Sequence, residues 1–121
     1  DDPRDVLVDG SGLSASDRVT AGTLAASLRS MLSGPDAQSE LALLPRVGVE
    51  GTVQYRSLAP DVLGRVRGKD GYIDGASGLA GFVETAHHGV VVYAFLVDDW
   101  QQGLDAVWNG EDEILAQIAR M

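Results

Sequence analysis

Apolar positions along the chain divide it into a helical first part, a strand-rich stretch and a helical close. Leu24, Leu28, Met31 and Leu32 fall at the i, i+4, i+7, i+8 spacing of one helix face, which predicts a helix from about Thr20 to Leu32. Gly34-Pro35 stops it. A short second helix is expected over Ser39–Leu44, ended by Pro45. Residues 46–64, punctuated by Gly48, Gly51 and Pro60, read mostly as loop. Ahead of these, Asp1–Gly10 reads as an entering segment with one apolar stretch, Val6-Leu7-Val8. It leads into the turn chemistry of Asp9-Gly10-Ser11-Gly12.

After residue 64 the period changes. Arg65–Lys69, Leu79–Thr85 and Val90–Val97 are expected strands, the last two rich in β-branched and aromatic residues. Val90–Val97 is apolar throughout, which predicts a strand buried on both faces and central in its sheet. Ala86-His87-His88-Gly89 reads as a hairpin turn. Adjacent histidines in a strand would point to opposite faces, and no carboxylate or cysteine stands at metal-ligand spacing, so a metal is not expected there. Asp98-Asp99-Trp100 reads as a helix start, with Trp100, Leu104, Val107 and Trp108 on one face. Asn109-Gly110 is expected to interrupt it. Glu111-Asp112-Glu113 suits the acidic first turn of a new helix, with Ile114, Leu115 and Ile118 on its face. Helix, then strands, then helix argues for α+β with an antiparallel sheet flanked by helices.

Composition narrows the function classes. A chain of 121 residues makes one compact domain. Nine basic residues against eighteen acidic ones, a net charge of −9, argue against nucleic acid or an anionic membrane as partner. The longest apolar run, Val90–Val97, is far short of the ~20 residues needed to span a bilayer. No basic-then-apolar leader opens the chain, so an export signal is expected to be removed or to lie outside this sequence. There is no cysteine. Eight of the nine basic residues are arginine; Lys69 is the one lysine and Asn109 the one asparagine, so any motif needing either can be tested directly.

Several short stretches, in order, resemble one family. Asp9-Gly10-Ser11-Gly12-Leu13-Ser14 is similar to the segment carrying the second active-site motif of the class C low-molecular-mass penicillin-binding proteins, the serine D-alanyl-D-alanine carboxypeptidase/endopeptidases. Leu44-Pro45, Gly51-Thr52-Val53-Gln54-Tyr55-Arg56, Val66-Arg67-Gly68-Lys69-Asp70-Gly71 and Leu79-Ala80-Gly81-Phe82 resemble that family's run into and beyond its Lys-Thr-Gly motif. The resemblance covers most of residues 9–97.

It implies the C-terminal part of the penicillin-recognising serine transferase (β-lactamase/transpeptidase-like) fold. On that reading residues 1–121 are the C-terminal portion of a single transpeptidase-like domain whose Ser-x-x-Lys part is absent. The family carries three active-site motifs. Three positions before Lys69 stands Val66, so the nucleophile motif is missing. The second motif keeps Ser14 as the implied proton-relay serine, with Ser16 and Asp17 where an asparagine is expected. The third reads Lys69-Asp70-Gly71, with aspartate in place of threonine. Lys69 is the implied carboxylate anchor, and Gly71 lets a substrate backbone lie close to the strand in the manner of β-augmentation. Asp70 removes a hydroxyl donor and adds like charge, or else pairs with Lys69.

The implied function is a peptidoglycan D-Ala-D-Ala carboxypeptidase/endopeptidase outside the cytoplasm, in periplasm or cell envelope, which also takes β-lactams. Its partners would be the stem peptide and the N-terminal part of the same protein. No cofactor is expected, because this acyl transfer needs none. The alternative is a pseudo-enzyme of the same fold that binds peptidoglycan or protein without chemistry; a third is an unrelated small α+β domain.

Overall fold

A computed structural model describes residues 2–73, 75–101 and 103–121, so Asp1 of the expected entering segment lies outside the described residues. Two helices come first, α1 (Ala21–Leu32) and α2 (Ala37–Leu43). A single 3₁₀ turn follows at Gly51–Tyr55. Three strands, β1 (Val66–Ile73), β2 (Ala76–Glu84) and β3 (Val90–Asp98), precede the long helix α3 (Leu104–Arg120). The architecture is α+β, as the sequence predicts.

Local chemistry accounts for the first helix. Thr20 caps α1 by accepting from the Thr23 backbone N–H at 3.1 Å. Asp5 ties the entering segment to that cap, accepting from Thr20 N at 3.0 Å and from Thr23 Oγ1 at 2.6 Å. An antiparallel bridge between Val6 and Arg18 closes the loop.

The strands form an antiparallel meander ordered β1-β2-β3, with Gly68 opposite Gly81 and Gly81 opposite Tyr93. The glycine pair has a packing cause. A Cβ on Gly68 would run into the Tyr93 hydroxyl, and one on Gly81 into the backbone of Arg67 and Gly68. Tyr93 Oη donates instead to Arg67 O at 3.1 Å, and burial pushes its phenol pKa upward.

β2, not β3, is the central strand, which corrects the reading of Val90–Val97. Successive hairpins put the middle strand of a meander in the middle of the sheet. β3 is half-buried on both faces, only Tyr93 is buried, and its outer edge carries no strand among the described residues.

The core lies between one sheet face and α3. Val66, Leu79, Val83 and Tyr93 meet Leu115, Ala116 and Ala119 there, together with Val47, Val53, Leu58 and Val62. The stretch read as loop, 46–64, therefore supplies four core residues. α1 and α2 pack together, and Leu41 and Ala42 of α2 approach buried Phe82 on the opposite face.

The last helix needs two corrections. It begins at Leu104, not near Trp100: Asp98 ends β3, and Asp99 takes a left-handed φ of 49° with its N–H on Gly75 O at 3.2 Å. It also runs unbroken through Asn109-Gly110. Glu111 and Asp112 are thus mid-helix and buried, whereas Ile114 is 48% exposed.

Candidate functional site

The third motif sits on β1, where the sheet edge opens. Residues 45–47 cover the first part of that edge, with Val47 N on Val66 O at 2.9 Å and Gly68 N on Pro45 O at 3.0 Å. Strand alternation then turns the backbone groups of Asp70 and Tyr72 outward. No strand lies beyond them among the described residues. A Cβ at Gly71 would meet nothing within 4 Å, so the sheet face at this position is open.

Lys69 is held within its own motif. Its Nζ donates to Asp70 Oδ1 at 2.7 Å, to Asp70 O at 2.6 Å and to Thr52 Oγ1 at 3.1 Å. An ammonium has three N–H donors, and these bonds use all three. Thr52 in turn donates its hydroxyl to Asp70 Oδ1. Partial burial raises the Asp70 carboxyl pKa, but the bonds from Lys69 and Thr52 outweigh it and hold the group below its ordinary range. Of the two outcomes the substitution allows, repulsion of a bound carboxylate or pairing with Lys69, the structure shows pairing. In the sequence Thr52 carries no signal beyond the family resemblance. Its role depends on a contact eighteen residues away, which no local pattern in the sequence signals.

The second motif is a separate turn. Ser14 Oγ accepts from Ser16 N at 3.2 Å and Ser14 O from Asp17 N at 3.1 Å, leaving the Ser14 hydroxyl proton free to donate. Asp17 Oδ1 accepts from Val8 N at 2.6 Å and Asp9 N at 3.3 Å, so this carboxylate is engaged in holding the loop. Among the described residues no hydrogen bond or ion pair joins Ser14, Ser16 or Asp17 to Lys69, Asp70 or Gly71. Around the first of these groups Val6, Leu7, Val8 and Leu13 are all exposed.

A second charged cluster lies inside. Arg56 Nε donates to Asp112 Oδ1 at 2.9 Å and Nη2 to Glu111 Oε2 at 2.9 Å, while Ser57 N donates to Asp112 Oδ2 at 2.9 Å. The three side chains are 3–6% exposed, and the Trp108 ring lies 5.4 Å from the guanidinium. Burial raises the Glu111 pKa against the opposing pull of Arg56, and Asp112 adds to the rise. Glu111 Oε1 has no hydrogen-bond partner among the described residues. The described residues hold no cluster suited to a metal and no helix long and apolar enough to cross a membrane.

Comparison with known proteins places the chain. The model of the D-Ala-D-Ala carboxypeptidase 3 (S13) family matches residues 3–120. D-alanyl-D-alanine carboxypeptidase DacB of Haemophilus influenzae is 29% identical over 100 residues, 81% of this chain and 21% of that protein. The crystal structure of penicillin binding protein 4 (dacB) from the same organism superposes with a TM-score of 0.87 at 23% identity, over 98% of this chain and 28% of its own. Its complex with a novel β-lactam gives a TM-score of 0.86 at 24% identity, over 97% and 29%. The chain therefore spans about a fifth of the curated relative it matches.

Proposed function

Since the chain belongs to the D-Ala-D-Ala carboxypeptidase 3 (S13) family, we infer that it is the substrate-holding part of a peptidoglycan D-Ala-D-Ala carboxypeptidase/endopeptidase. It would form the C-terminal portion of one transpeptidase-like domain, acting outside the cytoplasm. The Ser-x-x-Lys nucleophile would come from the rest of that domain, which would also cover the exposed Val6–Val8 and Leu13 and the open edge of β3. In this reading a stem peptide aligns along β1 beside Asp70, Gly71 and Tyr72, and Lys69 faces its terminal carboxylate. Ser14 passes a proton through its free hydroxyl hydrogen, and Ser16 and Asp17 stand where the family places its asparagine. A β-lactam would occupy the same groove.

The observation that carries the reading is the placement of Lys69-Asp70-Gly71 on the stretch of β1 whose edge pairs with no further strand among the described residues. The same motif argues for weak activity. All three N–H donors of Lys69 are engaged, and an incoming carboxylate would meet Asp70. Two unit charges ~4 Å apart cost roughly 4 kcal/mol at an effective dielectric of ~20, or about three powers of ten in affinity. This favours, as second reading, a pseudo-enzyme that retains the groove and binds wall peptide or protein.

Intact mass of the full-length protein after incubation with a penicillin separates the two. A gain of one penicillin identifies a working acyl-enzyme former. No adduct, with an acyl-D-Ala-D-Ala peptide still bound, identifies the pseudo-enzyme. Neither adduct nor peptide binding rules out both.

A further inference from the structure

A second charged cleft lies between α2 and the start of β1, with Lys69 two residues beyond Arg67 on the same strand. It has a volume of about 140 Å³, is partly open to solvent, and is lined by Leu41, Phe82 and Val90 on its apolar side and by Arg65, Arg67 and Glu84 as charged groups. Five of the nine basic residues form ion pairs: Arg4, Arg46, Arg56, Lys69 and Arg120. Arg65 and Arg67 form none among the described residues, yet both open into this one cleft. Arg67 spends one N–H on Leu44 O at 2.8 Å; Arg65 makes no side-chain hydrogen bond there.

Glu84 is the informative neighbour. Its N–H bonds Arg65 O at 2.8 Å, which extends the β1–β2 register and sets the two side chains opposite each other. Opposed charges at such a position ordinarily close on one another. Here no ion pair joins Arg65 and Glu84 among the described residues, and both side chains line the cleft.

We propose that this cleft binds a short α-amino acid. The carboxylate lies in the guanidinium fork of Arg65 with support from Arg67, the ammonium against Glu84, and a small side chain against Phe82 and Leu41. A guanidinium matches a carboxylate with two parallel N–H donors. The volume is close to that of a ~150 Å³ cavity that holds a benzene-sized molecule, enough for alanine. The site does not require the peptidase reading.

The test is calorimetric titration of the full-length protein with alanine, propionate and ethylammonium at low salt, with and without a saturating penicillin. Saturable alanine binding that persists beside the penicillin is expected. Arg65→Gln should weaken alanine and propionate by at least tenfold, the value of one charge-assisted hydrogen bond. Glu84→Gln should weaken alanine similarly and leave propionate binding no weaker. Neither side chain makes an internal bond among the described residues, so folding is not at stake, and a matching melting curve verifies it. The proposal is overturned by no saturable binding, by binding that penicillin abolishes, or by binding indifferent to Arg65→Gln.

Discussion

Arg56 with Glu111 and Asp112, and Lys69 with Asp70, are both one cation held by acidic groups, yet they answer to different physics. The first is sealed in the core, with all three side chains 3–6% exposed. The second sits at a sheet edge with Lys69 58% exposed. In the interior, desolvating the ions is so costly that the cluster persists only as a complete set. At the edge Lys69 stays largely in water although Asp70 is mostly covered, so Lys69 can exchange partners at less cost than a buried ion. The buried cluster therefore fastens the loop after Tyr55 to α3, while the exposed one remains open to change by a ligand.

The largest effect expected from breaking this contrast is at Arg56. Arg56→Met leaves two buried carboxylates without their cation and should cost about 3–5 kcal/mol in urea unfolding of the intact protein. A cost below about 1 kcal/mol would show that the cluster is not sealed in the intact protein.

Next comes Asp70→Thr, which restores the hydroxyl and removes the competing carboxylate. Affinity for an acyl-D-Ala-D-Ala peptide should rise by up to about a thousandfold, with stability changed by no more than about 1 kcal/mol. Unchanged affinity, measured by calorimetry, would remove Asp70 from the site.

A smaller, pH-dependent effect follows from Glu111. Burial holds its folded pKa above the ordinary value. Between those two values the folded state binds more protons than the unfolded one, so stability falls as pH rises through that window. Glu111→Gln should flatten this decline in a pH series of melting curves. Asp70 has the opposite sign. Its lowered pKa gives stability that is present above the ordinary carboxylate value and lost as pH falls through the folded one.

The smallest effect is Lys69→Gln, worth about 0–1 kcal/mol in stability and fading with added salt. Salt should alter the Arg56 penalty far less, because buried ions are weakly screened.

Much of the fold was legible in the chain. Leu24, Leu28, Met31 and Leu32 marked α1, and the β-branched runs marked β2 and β3, because helix and strand periods are local properties of backbone geometry. The candidate site was legible only as far as its motif. Lys69-Asp70-Gly71 could be read from sequence; the engagement of all three Lys69 donors could not, because Thr52 arrives from a distant turn. The miss at Glu111-Asp112 has the same origin. Three acidic residues in a row look like the start of a helix, and nothing nearby indicates that an arginine fifty-five positions earlier is buried against them.

Sequence by itself thus determined the element types, the antiparallel α+β class and the altered motif, all carried by residues within a few positions of one another. Tertiary structure alone decided that β2 is central, that residues 46–64 supply core side chains, and which carboxylates meet which cations. Those outcomes depend on which surfaces exclude water together, and burial sets the cost of every charge according to neighbours that the chain supplies from far away.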